Sequence, residues 1–161
     1  MGAVMRHLVP GFKHGPRVDE FEQAFAERLG TRYACALPHA RVALMMVLNA
    51  MDLPEGSEVV MTPVTIPDMV NVVISCRLKP VFVDLGKETA NMDPDALKAA
   101  ITERTQVVLV THLCGLPSDM DAISQIVDDH KLRLIEDCSQ SIDTRYRGRA
   151  LGTFGSAGII S

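Results

Sequence analysis

The chain has 161 residues, 47% of them hydrophobic and 22% charged, the make-up of a globular protein long enough for one domain with a sizeable core. Its net charge of −4 gives no basic footprint for nucleic acid, and no apolar run approaches the about 20 residues that a bilayer span demands. Residues 1–15 lack the apolar stretch of a secretory signal, and Cys35, Cys76, Cys114 and Cys138 stand apart with no C-x-x-C pair. That spacing suits reduced thiols in a cytoplasmic compartment, buried by default, and offers no metal site or disulfide framework.

Helical and strand periods alternate along the chain. Residues 17–29 place Val18, Phe21, Phe25 and Leu29 on one helical face, and Gly30 stops the helix. Residues 33–37 read as a short strand, and residues 42–51 as a helix apolar nearly all round, hence buried. Pro54-Glu55-Gly56 is a turn before a strand at 58–61. A helix follows at 68–76 with Pro67 near its start, then a strand at 80–84. Asp93 caps a helix that has Pro94 at its first position and runs through Ile101. Residues 106–111 are a continuous apolar strand of the doubly buried, parallel kind. A helix at 118–130 and a strand at 132–136 come next. Tyr146-Arg147-Gly148-Arg149 reads as a hairpin turn, and Gly158-Ile159-Ile160 opens a last strand.

Strands alternating with helices predict an α/β fold: three α/β/α layers around a mostly parallel sheet, with 107–110 and 132–135 as central strands. There is no internal repeat, low-complexity stretch or internal domain boundary. Ser161 falls at an apparent strand edge without a closing helix, so the chain is expected to be cut from something longer.

The most informative stretch is Leu134-Ile135-Glu136-Asp137-Cys138-Ser139-Gln140-Ser141, a buried strand ending in acid and amide groups. In open α/β sheets the ligand crevice lies just beyond the carboxyl ends of the strands. Asp137 could there hold a cationic partner, and Gln140 could donate to an adjacent oxygen. The plainer reading makes Asp137 the N-cap of a following helix and Gln140 a solvated first-turn residue.

The order of segments resembles the DegT/DnrJ/StrS family of nucleotide-sugar aminotransferases, enzymes of fold type I that use pyridoxal 5′-phosphate (PLP). The resemblance is carried by Gly30-Thr31-Arg32-Tyr33-Ala34, Thr62-Pro63, Lys79-Pro80-Val81-Phe82-Val83-Asp84 and Asn91-Met92-Asp93-Pro94. His112-Leu113-Cys114-Gly115, Ile135-Glu136-Asp137-Cys138-Ser139-Gln140 and Tyr146-Arg147-Gly148-Arg149 follow in the family's order. It implies residues 1–15 as an N-terminal arm and residues 16–161 as the N-terminal part of an aspartate aminotransferase-like, PLP-binding large domain. It further implies transfer of an amino group from an amino acid such as glutamate to a nucleotide-linked keto sugar, by a cytoplasmic homodimer.

By the same resemblance Asp137 holds the protonated pyridine nitrogen of PLP, Gln140 lies beside its 3′-oxygen, and Ser161 bonds its phosphate. The family's Ser-Gly-Thr phosphate turn is here His39-Ala40-Arg41. Ala40 can present its N–H if its φ is negative, and Arg41 can add a guanidinium. Alternatively Arg41 faces solvent in a decayed site, and His39 is a plain loop residue. Thr65 and Ile66 stand where the family has a threonine followed by an aromatic residue that covers the ring. His112, at a strand end, is a second-tier histidine near the cofactor. No catalytic residue is assigned, because the resemblance places the lysine that forms the Schiff base beyond Ser161. The chain alone is therefore expected to be inactive and to bind PLP weakly if at all. Two alternatives stand beside the aminotransferase: the family's sugar dehydratase branch, with histidine in place of that lysine, and a non-catalytic split module.

Overall fold

The computed structural model describes residues 15–161, so the expected N-terminal arm lies outside it except for Gly15. The chain forms two compact units, Met1–Ala36 and Leu37–Ser161. The first contains α1 (Pro16–Leu29), with Pro16 at a position that needs no N–H donor. Gly30 ends it at φ 72, donating to the Ala26 and Glu27 carbonyls. Residues 33–37 form no strand, contrary to expectation. A strand needs a neighbour for its backbone groups; here the Ala36 N–H goes instead to the Glu22 carboxylate at 2.7 Å, and Tyr33 is 80% exposed.

In the second unit a five-stranded parallel sheet runs in the order β2-β1-β3-β4-β7. Its strands are β1 (Glu58–Met61), β2 (Lys79–Phe82), β3 (Thr105–Thr111), β4 (Arg133–Asp137) and β7 (Ala157–Ile159). A separate antiparallel pair, β5 (Arg145–Tyr146) and β6 (Arg149–Ala150), turns through Arg147 (φ 49) and Gly148 (φ 87). Two positive φ values in succession make this the twisted two-residue turn suited to hairpins.

Helices cover both faces of the sheet. On one, α2 (Ala40–Ala50) and α3 (Pro67–Ser75) bury Leu44, Leu48, Met69 and Val73 against Val59, Met61, Val107, Leu109, Ile135 and Ile159. On the other, α4 (Pro94–Ala100) and α5 (Met120–Asp129) bury Leu97, Met120, Ile123 and Val127 against Val60, Val108, Val110 and Leu134. The predicted three-layer α/β/α order is present, with β3 and β4 central. Val107 to Val110 are almost wholly buried, each worth about 1.5–3 kcal/mol relative to exposure, because side chains alternate between two covered faces.

The structure departs from expectation in two further respects. Helix α2 buries only Leu44 and Leu48 and leaves Met45 and Met46 39% and 49% exposed, since a layered helix meets the sheet along one stripe. Of the cysteines only Cys138 is fully buried; Cys76 is half-buried, and Cys35 and Cys114 are exposed.

Candidate cofactor site

All five strands of the parallel sheet end toward one rim, and strand alternation decides which side chains face which way there. Ile135 lies in the α2–α3 core and Leu134 in the α4–α5 core, so Asp137 follows Ile135 and Glu136 follows Leu134. Asp137 sits in register with Thr111 on β3 and Ile159 on β7, at the carboxyl end, and is 6% exposed. Its Oδ1 accepts the Ser139 N–H at 3.1 Å and the Ser139 hydroxyl at 2.6 Å, while no described residue donates to Oδ2. The alternative reading as a cap is half right: the carboxylate caps a local turn, but no helix follows.

The helices bring two more groups to this rim. Helix α3 begins shortly after β1 ends, and Arg41 in the first turn of α2 reaches Asp68 in the first turn of α3 at 2.7 Å. The N-terminus of α2 therefore lies at the carboxyl rim, on the face that carries Asp137. Neither α2 nor α3 has a side-chain cap, whereas α4 and α5 are capped by Asp93 and Asp119. The N–H groups of Ala40 and Arg41 have no partner within their own helix, and the partial positive charge of the helix end collects there. Ala40 is helical, so its φ is negative and its N–H is presentable. Asp68 engages the Arg41 guanidinium, but both are half-exposed, and such a pair contributes about 0–1 kcal/mol.

Gln140 is exposed, and its Oε1 accepts the Cys114 N–H at 2.9 Å, which leaves its amide NH₂ as the donating end, bonded to no described residue. Ser161 lies two residues past the Ile159 partner of Asp137 and is exposed. Thr65 is half-buried and Ile66 is 57% exposed; both lie in the link from β1 to α3, with Ile66 at the N-cap. His39 is the exposed N-cap of α2 and makes no side-chain cap bond. His112 is fully buried on the far face: Nδ1 accepts the Ser118 N–H at 3.1 Å and Nε2 faces Glu136 Oε2 at 3.3 Å.

Residues 5–161 match the DegT/DnrJ/EryC1/StrS aminotransferase family. The chain belongs to it. It is similar to the spore coat polysaccharide biosynthesis protein SpsC of Bacillus subtilis (strain 168), with 37% identity over 91% of this chain and 38% of SpsC. It is also similar to the GDP-perosamine synthase of Vibrio cholerae, with 32% identity over 91% of this chain and 40% of that enzyme. Among solved structures, an aminotransferase from Psychrobacter cryohalolentis superposes with a TM-score of 0.91 at 36% identity, over 99% of this chain and 41% of its own. A GDP-4-keto-6-deoxymannose-3-dehydratase superposes at 0.88 with 28% identity, over 92% of this chain and 40% of its own. The chain thus spans about two fifths of the length of the relatives it matches.

Two of the described lysines lie at the end of the sheet opposite Asp137. Lys79 is paired with Glu58 at the amino end of the sheet, Lys131 precedes β4 at that same end, Lys98 is on α4, and Lys87 is in the β2–α4 link. Glu136, unassigned from the sequence, is the best-bonded carboxylate at the rim, and its signal there was only the pair of consecutive acids at a strand end. Asp68 was likewise missed, because its partner Arg41 is 27 residues away. His112, Glu136 and Cys138 place possible ligand atoms within 4.8 Å of one another, but the Glu136 oxygens are already taken by N–H donors. Burial first, then the Glu136 and Asp137 charges, push the Cys138 thiol far above its ordinary range, away from the thiolate a metal needs.

Proposed function

We propose that this chain forms part of the cofactor site of a PLP-dependent aminotransferase that moves an amino group from an amino acid such as glutamate to a nucleotide-linked keto sugar. One observation carries the reading: a buried carboxylate, Asp137, with one oxygen that no described residue engages, shares a sheet face and rim with the N-terminus of α2, which has no side-chain cap. PLP has complementary ends, a protonatable ring nitrogen and a phosphate, and when bound it supplies the electron sink for amino transfer.

Asp137 holds the ring nitrogen through a charge-assisted bond, which favours its protonated form. The Gln140 NH₂ donates to the 3′-oxygen. The N–H groups of Ala40 and Arg41, the Arg41 guanidinium and the Ser161 hydroxyl receive the phosphate. Thr65 and Ile66 border the ring face and exclude water from it. The chain's part is to bind and orient; no covalent step is assigned to its residues. Residues 16–161 act as the N-terminal part of a PLP-binding large domain in a cytoplasmic homodimer. A second reading, sugar dehydration, is supported by the dehydratase among the similar structures.

Titration of the purified protein with PLP, followed by cofactor absorbance, tests the site. The expected result is weak, saturable binding that Asp137→Ala abolishes while secondary structure is kept. Equal binding by wild type and variant overturns the assignment of Asp137. For the reaction, a longer protein that carries these 161 residues together with the Schiff-base lysine or the histidine in its place, incubated with glutamate and a nucleotide-linked keto sugar, separates the readings: an amino sugar supports transfer, and a deoxy sugar supports dehydration.

A further inference from the structure

We propose that Glu136 and His112 form a buried positioning pair that couples Asp137 and Gln140 to Ser161, holding the ring anchors and a phosphate anchor in one register from the opposite face of the sheet. The inference rests on the cofactor reading for what those anchors bind, and on the described bonds for how they are held.

Glu136 has no exposed surface, yet its carboxylate is fully engaged. Oε1 accepts the N–H groups of Phe154 at 2.6 Å and Gly155 at 3.0 Å; Oε2 accepts the N–H of Gly152 at 2.8 Å and meets His112 Nε2 at 3.3 Å. His112 Nδ1 accepts an N–H from Ser118, so that nitrogen carries no proton and Nε2 is the donor to Glu136. Four donors thus converge on the two oxygens of one carboxylate.

The bonds extend from this pair to the rim on both sides. The His112 backbone N–H donates to the Asp137 carbonyl at 3.0 Å, and its carbonyl accepts the Ser141 hydroxyl at 2.6 Å. The turn that carries Gln140 is pinned between those two bonds. On the other side, Gly152, Phe154 and Gly155 belong to the link from β6 to β7, and Ser156 N–H completes it by donating to the Leu134 carbonyl at 2.8 Å. That link delivers β7 and, two residues beyond it, Ser161. A change at Glu136 is therefore felt at Ser161, and a change at His112 at Gln140, with neither side chain on the cofactor face.

An amide at position 136 has one oxygen where four donors need two, and its NH₂ would confront N–H groups. Glu136→Gln should weaken PLP binding at least about tenfold, the order seen when outer partners of an anchored ligand are lost. It should also weaken inorganic phosphate, which does not touch Asp137. His112→Gln, whose amide can still donate to Glu136, should stay near wild type, while His112→Leu should lose affinity. Should Glu136→Gln not fold, the two His112 variants carry the test.

An independent readout is nitrogen-15 NMR of the histidine rings and the backbone amides. The proposal expects the His112 proton on Nε2, and shifts of the Gln140 and Ser161 amides in His112→Leu that His112→Gln restores. A proton on Nδ1, unmoved amides, or unchanged PLP and phosphate affinities in folded Glu136→Gln would overturn it. Wild-type protein that binds no PLP but shows the tautomer and the coupled amide shifts would sink the cofactor reading and leave the positioning pair standing.

Discussion

Glu136 and Asp137 are consecutive on β4, yet their carboxylates leave the sheet on opposite faces and do different work. Glu136 is saturated by Gly152, Phe154, Gly155 and His112, whereas Asp137 keeps one oxygen free of any described donor. The two-residue period of a strand makes the division. A saturated carboxylate fixes a loop, and an unsaturated one can still receive a ligand.

The first prediction exploits that difference. Asp137→Asn retains an oxygen for the Ser139 N–H and hydroxyl, so the thermal midpoint should move by only a few degrees. PLP affinity should fall at least about tenfold, because a charge-assisted bond becomes a neutral one. Paired titration and thermal denaturation check it; a lost fold with no specific loss of affinity would reassign Asp137 to structure.

At the amino end of the sheet, Glu58 is buried, and its carboxyl is held down to about 2 from the ordinary 4.5. The Thr102 hydroxyl bond lowers it most, burial opposes this, and Lys79 and Arg104 add to the lowering. Since the folded value lies below the unfolded one, the stabilisation is complete above about 4.5 and is lost as pH falls toward 2. Glu58→Gln should cost about 1–2 kcal/mol at neutral pH and flatten the stability profile between those limits. Denaturant unfolding across that range measures both effects.

Two glycines near the last strand are fixed by contact. A Cβ on Gly158 would overlap the Gly152 carbonyl oxygen, and one on Gly155 the Leu134 carbonyl oxygen. Backbone atoms cannot rotate aside, so alanine at either position should cost about 3 kcal/mol or more. Gly56→Ala is the contrast: the space there is open, and only its φ of 79 is strained, for about 1–2 kcal/mol. Unfolding free energies of the three variants should fall in that order.

Thiol chemistry should follow exposure. Cys35 and Cys114 should alkylate readily in the native state, whereas Cys138, buried beside two carboxylates, should react only on unfolding. Mass spectrometry of iodoacetamide-treated protein, with and without denaturant, checks this. Native labelling of Cys138 would show that the β4 end opens readily.

The sequence by itself determined the alternation of elements, and hence the layered fold. Its apolar runs at 106–111 and 132–136 became β3 and β4, and Asp93-Pro94 capped α4 as its residue types require. These signals are local: a period, a cap and a run are written in neighbouring residues. The tertiary structure alone decided that residues 33–37 stay unpaired, that α2 exposes Met45 and Met46, and that Arg41 meets Asp68. It alone also decided which acid of the Glu136-Asp137 pair is spent on backbone and which is left free. Each of those outcomes depends on a partner distant in the chain, and a linear pattern carries no record of which distant donor will arrive at a given oxygen.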